Sequence, residues 1–492
     1  MCKRIIGILM AASMLFSLVA CSSGTTVSYI TSEIYVDEEE TDSADAFNTD
    51  SVDSTSGNST GDSSSKKNQN NTASSTSQID TSKITTVDGL DFGGKTVKIA
   101  ITNDKTPTES DLRMFADFEK AYNCKIKYDI IAFNDYLKTV GNKISSNQPY
   151  DILYLHGSMF PAAVISRIAV PLDDAIYEKD KLDKNNISAG GIDMDKSSYY
   201  TWKNKTYGVA GYDDVNVFFL YYNKQKFKDS GLEDPLDLYN RGEWTWEKLL
   251  EMGKKVTNAD KGVYFGDFSF ASQSIVLSYG GKWIKINSYN DIKENTADPH
   301  IFNGLKMLQR ICDGPEQIVD RGKGQTDASE FLSGRTYAHL AEDIRYSSQI
   351  SKGIIDDKKF GGKTDNVGIV PVPLGDGNKA YPAGWITGIA ACRGTQDITM
   401  AVAFAKFRTT WKDSANDPYK LPESAKKLKA SFLSNINYKN YGYTTSGTDT
   451  KATIDSIVLQ ISAKVSGGKD IKSVLDTYKG AIQNCIDVSL KK

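Results

Sequence analysis

What this chain lacks narrows its chemistry first. Among 492 residues there are only three histidines and six cysteines. Cys124, Cys312, Cys392 and Cys485 include no Cys-x-x-Cys pair, so neither a zinc nor a redox site is expected. Their wide scatter suits buried free thiols at least as well as disulfides. His156, His300 and His339 are far apart, and no His-Glu-x-x-His segment occurs. There is no Gly-x-Ser-x-Gly elbow and no Gly-x-x-x-x-Gly-Lys-Ser phosphate loop. No metal, cofactor or catalytic residue is therefore expected, and the chain does not read as an enzyme. One enzymatic class stays open: 62 acidic residues offer many carboxylate pairs of the kind that hydrolyse glycosides, and sequence cannot place them. Charge of one sign is lacking too. The formal net charge is −3, too close to neutral to signal a nucleic-acid partner. Finally, no apolar run reaches the roughly 20 residues of a spanning helix.

One short apolar run is present, at the start. Lys3 and Arg4 precede Ile5 to Val19, and Leu18-Val19-Ala20-Cys21 follows. A basic start, a short apolar core and small residues before a cleavage point make a secretory signal. With cysteine at its end, the signal resembles a bacterial lipoprotein box, which implies lipid on Cys21 and a chain tethered outside the cytoplasm. The alternative is an ordinary signal whose cut precedes a cysteine. From Ser22 to about Asp88 the chain is mostly Ser, Thr, Asp, Asn and Gly. Twelve acids from Glu33 to Asp88 face only Lys66, Lys67 and Lys83. Such a segment buries too little apolar surface to offset its ordering entropy, so a disordered, charge-extended tether is expected. The organisation expected is a signal at residues 1–20, a tether at 21–90 and a folded region at 91–492. That region exceeds the size at which one core stops growing, so two lobes are expected.

The folded region opens as α/β. Val97, Ile99 and Ile101 alternate as a strand should. Thr108 with Asp111 signals a helix start, and Leu112, Phe115, Phe118 and Tyr122 follow at helical spacing. A second strand carries Ile126, Tyr128 and Ile130, and a second helix Tyr136, Leu137, Val140 and Ile144. A third strand, from Asp151 to Leu155, is nearly all apolar, as burial on both faces requires. This order predicts a parallel sheet with right-handed crossovers and a ligand beyond the strands' carboxyl ends. The loops concerned are Asn103-Asp104, Phe133-Asn134 and His156-Gly157-Ser158. Further on, Ser230-Gly231 ends a helix and Asp234-Pro235 forbids its restart. Thr245 caps a helix that Trp244 and Trp246 pack down.

The order of later segments carries a resemblance. Tyr207-Gly208-Val209-Ala210 is followed by Phe219 to Lys224, Ser230-Gly231-Leu232, Asp234-Pro235 and Trp244 to Leu250. Then come Phe331 to Glu342, Asn366 to Pro373, and Gly384-Trp385 running to Ala391. Together these resemble the extracellular solute-binding proteins (family 1) of sugar-importing ABC transporters, over nearly all of residues 95–410. The resemblance implies a two-lobe α/β fold of periplasmic-binding-protein type, with a hinge and an interlobe cleft. Lobe 1 would hold about 91–214 and 372–410, and lobe 2 about 215–371 and 411–492. The chain would cross between them near Gly211 to Asn216 and Gly368 to Pro373.

The function so implied is capture of a carbohydrate, expected to be an oligosaccharide, and delivery to the permease subunits of an ABC importer. The protein would be a monomer held on the extracytoplasmic face of a cell membrane, of a Gram-positive bacterium, by lipid on Cys21. A peptide or polyol ligand, or a surface glycoside hydrolase, is the alternative. Sugars offer apolar ring faces edged with hydroxyls, and 26 Tyr and 6 Trp suit that chemistry. The expected ligand contacts combine family position with strand-end logic. They are Asp104 and His156 in lobe 1, Tyr212, Asp213 and Asp214 at the first crossing, and Trp283 after Gly280-Gly281. Asp343 and Arg345 follow a strand at Ala338 to Ala341, and Trp385 follows Gly384. Trp283 and Trp385 would stack on the sugar from opposite walls.

Overall fold

The computed structural model describes residues 90–174 and 198–491, apart from 269–271, 289–290, 321–327, 358–359, 361, 414–419, 439–441 and 444–452. The signal, Cys21 and nearly all of the tether lie outside the described residues. All described residues belong to one compact unit.

The opening segment folds as its periodicity predicts. Strand β1 (Thr96–Thr102) leads to helix α1 (Glu109–Ala121), β2 (Lys125–Ile131), α2 (Tyr136–Ser145) and β3 (Ile152–His156). Thr108 and Asp111 form a reciprocal capping box at the start of α1. β1 pairs in parallel with β2 and with β3. β3 is buried along its whole length, and β2 is the exposed edge.

Two long strands carry the chain out of this sheet and back. The outward strand is β4 (Val215–Asn223). After it come α3 (Lys224–Asp229), α4 (Pro235–Asn240), α5 (Trp246–Val256), β5 (Ala338–Glu342) and β6 (Val367–Pro371). The return strand is β7 (Tyr381–Cys392). β4 pairs antiparallel with both β5 and β6. β7 pairs with β4 through Ala383, Trp385 and Ile386, and with β3 from Thr387 to Ala391. The strand order is therefore β2-β1-β3-β7-β4-β5, with β6 beside β4. One continuous sheet joins both halves of the molecule.

Two details differ from expectation. Asp234-Pro235 does not merely stop a helix: Asp234 caps α4 and Pro235 opens it. Proline suits that first turn because its missing N–H has no partner there to lose. The return crossing also lies further on than Gly368 to Pro373. Val367–Pro371 is wholly paired with the far half of β4, and the passage occurs inside β7, between Trp385 and Thr387.

Burial follows the sheet. Val97, Ile99, Ile101, Phe115 and Phe118 pack with Met400, Phe404 and Phe407 of α6 (Thr399–Thr410) on one face of β1–β3. The other face, with Ala100, Leu153 and Leu155, belongs to a second core that runs on through β4 to Trp246, Ile301 and Ile461. Trp246 donates to Ser278 Oγ at 2.7 Å and Trp244 to the Pro371 carbonyl at 2.7 Å, so both rings pin α5 down as its sequence suggests. Cys124, Cys312, Cys392 and Cys485 are buried, and none is in a disulfide. Burial pushes the Cys124 and Cys392 thiols up to about 12, which disfavours their thiolate forms at neutral pH.

Candidate functional site

The carboxyl ends of β1, β2 and β3 bring three loops together. Asn103, after β1, accepts the Phe133 amide on its Oδ1 at 2.9 Å. The Phe133 ring stands edge-on to His156, with centroids 4.9 Å apart. His156 in turn packs against Trp385, centroids 4.6 Å apart. The His156 Nδ1 accepts the Ser158 amide at 3.2 Å, so in the neutral ring the proton sits on Nε2. Trp385 is half-buried and His156 fully so. A ring platform with one polar edge thus lies where β7 leaves the first sheet.

The other half of the molecule meets this platform with the carboxyl end of β5. Thr387 pairs with His156, Trp385 with Asn216, and Glu342 with Phe218. The Glu342 Cγ lies over Gly384: a Cβ on that glycine would sit 2.6 Å from it. Only glycine leaves that room. From Gly384 to Thr387 is about 10 Å at strand spacing. His156 and Glu342 therefore flank β7 on either side of Trp385, at Thr387 and Gly384. Arg345 is close by, its Nε 3.9 Å from a Glu342 oxygen. Asp104 is exposed in the β1 loop and Lys105 next to it is partly buried.

Asp214 and Asp343 have a different job. Asp214 accepts the Gly211 amide at 2.7 Å and forms an ion pair with Arg408. Asp343 accepts the Val217 amide at 3.2 Å and the Lys429 Nζ at 2.7 Å. Lys429, on α7 (Glu423–Phe432), also donates to the Val215 carbonyl. Both carboxylates are buried and engaged, so they fix the first crossing instead of offering free oxygens to a ligand. Asp213 is exposed and lines a cavity of about 660 Å³ with Asp111, Arg408, Lys420 and Lys426. Tyr212 begins the short turn at Tyr212–Asp214, and its side chain is outside the described set.

Trp283 differs from Trp385: it is 1% exposed and packs in the second core. Gly281 beside it would bring a Cβ within 2.9 Å of Val276. The paired glycines admit close packing of core elements and not of a ligand. Sequence reading also passed over three participants. Glu342 carried a faint signal, an acid closing an apolar strand. Lys105 adjoins a chosen residue, and the Phe133 ring sits in a chosen loop.

Residues 104–412 match the model of the bacterial extracellular solute-binding proteins. The chain belongs to that family. It is 20% identical over 320 residues to the diacetylchitobiose-binding protein DasA of Streptomyces coelicolor, covering 64% of this chain and 69% of the relative. Among solved structures it resembles an ABC substrate-binding protein of Listeria monocytogenes in complex with cycloalternan. The TM-score is 0.60 at 17% identity, over 80% of this chain and 99% of that one. It also resembles the galacto-N-biose-/lacto-N-biose I-binding protein of Bifidobacterium longum in complex with lacto-N-biose. There the TM-score is 0.58 at 14% identity, over 82% and 98%. The fold of this solute-binding protein is therefore the two-lobe periplasmic-binding-protein type.

Proposed function

We propose that this solute-binding protein captures a carbohydrate, at least a disaccharide, between its lobes and passes it to an ABC permease. The Phe133, His156 and Trp385 cluster carries the reading. Rings suit the apolar faces of a sugar, and the imidazole N–H and the neighbouring polar groups suit its hydroxyls. The relatives named for oligosaccharides favour the same class. The hinge would comprise residues 211–216 and 384–387, so that lobe closure brings Arg345 and Glu342 toward the platform. Asp104, Lys105, His156, Arg345 and Trp385 would contact the sugar. Asp213 would lie at the margin.

A thermal-shift screen against mono- and oligosaccharides, polyols and peptides tests this. A true ligand at a hundredfold excess over Kd stabilises by about 2.7 kcal/mol. A response confined to peptides or polyols would replace the sugar reading, and turnover of an oligosaccharide would make the chain a hydrolase. Anchoring through lipid on Cys21 is the companion proposal. Cys21→Ala should release the protein from the membrane fraction, and correct processing with retained anchoring would refute it.

A further inference from the structure

The carboxylate of Glu342 has no hydrogen-bond partner among the described residues. The residue is 2% exposed, and neither Oε1 nor Oε2 makes a hydrogen bond. Among the described residues its one ionic neighbour is Arg345, at 3.9 Å, beyond hydrogen-bonding distance. Buried carboxylates in folded proteins are normally satisfied, as Asp214 and Asp343 are only a short way off. Glu342 departs from that norm at both oxygens, where Asp267 does so at Oδ2 alone, and its position is distinctive. It ends β5, the strand whose carboxyl end points at the carboxyl ends of β1 and β3 across the crossing strands. It leans over Gly384, the residue before Trp385. Thr387, which pairs with His156 on the same strand, also has an unpartnered buried hydroxyl.

We propose that Glu342 is the polar anchor of the ligand site, accepting two hydroxyl hydrogen bonds from one sugar ring stacked at Trp385. The inference rests on the carbohydrate reading above and deepens it. Two carboxylate oxygens match a pair of adjacent hydroxyls, whereas an amide in the same place accepts at one atom only. Thr387 supplies a further donor and acceptor three residues along β7 from Gly384. The ligand class that follows is a neutral sugar with a vicinal diol at the ring held by Trp385. Access to Glu342 requires the lobes to part about β4 and β7, as the hinge of this fold permits.

The test compares wild type, Glu342→Gln and Glu342→Ala by calorimetry with the oligosaccharide found in the screen. It also uses that ligand's derivatives deoxygenated at single ring positions. We expect Glu342→Gln to keep or raise the unliganded melting temperature, since a stranded carboxylate is removed, and to weaken binding tenfold or more. Wild type should lose affinity for the derivative lacking one diol hydroxyl, while Glu342→Gln should lose much less on the same change. Equal affinity in wild type and both variants, with wild type binding the sugar normally, overturns the role of Glu342 and leaves the carbohydrate reading standing. A lower melting temperature in Glu342→Gln with unchanged affinity makes the residue structural and overturns it as well. If wild type binds no carbohydrate in the screen, both readings fall together.

Discussion

Replacing Lys429 by methionine should destabilise the protein sharply, through groups far from it in sequence. Its Nζ meets Asp343 Oδ2 at 2.7 Å and the Val215 carbonyl, and both charged side chains are nearly inaccessible, at 10% and 8% exposure. Methionine matches the lysine stem in volume, so no cavity opens. What remains is a carboxylate with one amide donor, from Val217, and a backbone carbonyl that has lost its ammonium donor. Removing one partner of a buried pair costs about 3–5 kcal/mol, because the other charge is left uncompensated. Exposed pairs contribute only about 0–1 kcal/mol, so the two cases are well separated. Urea unfolding with an unchanged m-value measures the loss as a fall in midpoint. The double change Lys429→Met with Asp343→Asn should recover part of it, since no charge is then stranded. A loss under about 1 kcal/mol for Lys429→Met would refute the reasoning. It would mean that water reaches the pair, or that α7 is not clamped to the crossing.

Trp283→Ala should cost about 3–5 kcal/mol of stability, as loss of a core ring does, while the folded fraction keeps full affinity. Weakened binding without destabilisation would return Trp283 to a ligand wall. Trp385→Ala should do the reverse, weakening sugar binding roughly thirtyfold or more, equivalent to about 2 kcal/mol, with a small change in melting temperature. A sharp drop in melting temperature with full affinity would make the ring a packing element. Burial pulls the Lys105 amine below its ordinary value of 10.5, against the upward pull of Asp104, Asp214 and Asp343. A lysine whose folded-state value is lowered penalises folding while it is protonated in both states, and the penalty fades as pH climbs toward 10.5. Lys105→Met should therefore be more stable than wild type at pH 7, with the gap narrowing in alkali. A gap that does not change with pH would show that the amine is well hydrated.

Local and periodic features were legible in the residues alone. Alternation at Val97, Ile99 and Ile101, the capping pair Thr108 and Asp111, and the unbroken apolar run from Ile152 to Leu155 each act over a few residues. Each produced the element expected. A parallel sheet followed, because successive strands joined by helices admit one handedness. The family order of Tyr207 to Ala391 supplied the second lobe, which no single period shows.

What each polar or aromatic residue does depends on packing, because its partners come from distant segments. Asp214 and Asp343 read alike with Asp104 in sequence, but Arg408 and Lys429, from helices near the end of the chain, occupy the first two. Trp283 and Trp385 both follow glycine. The first is enclosed by the core and the second stands against His156 at the crossing. Glu342 was legible only as the last residue of a strand. That neither of its carboxylate oxygens finds a hydrogen-bond partner among the described residues became visible once β4, β5 and β7 were set side by side. Burial is the physical reason. It is a property of what packs around a residue, and short-range sequence pattern reports only the face on which a residue lies.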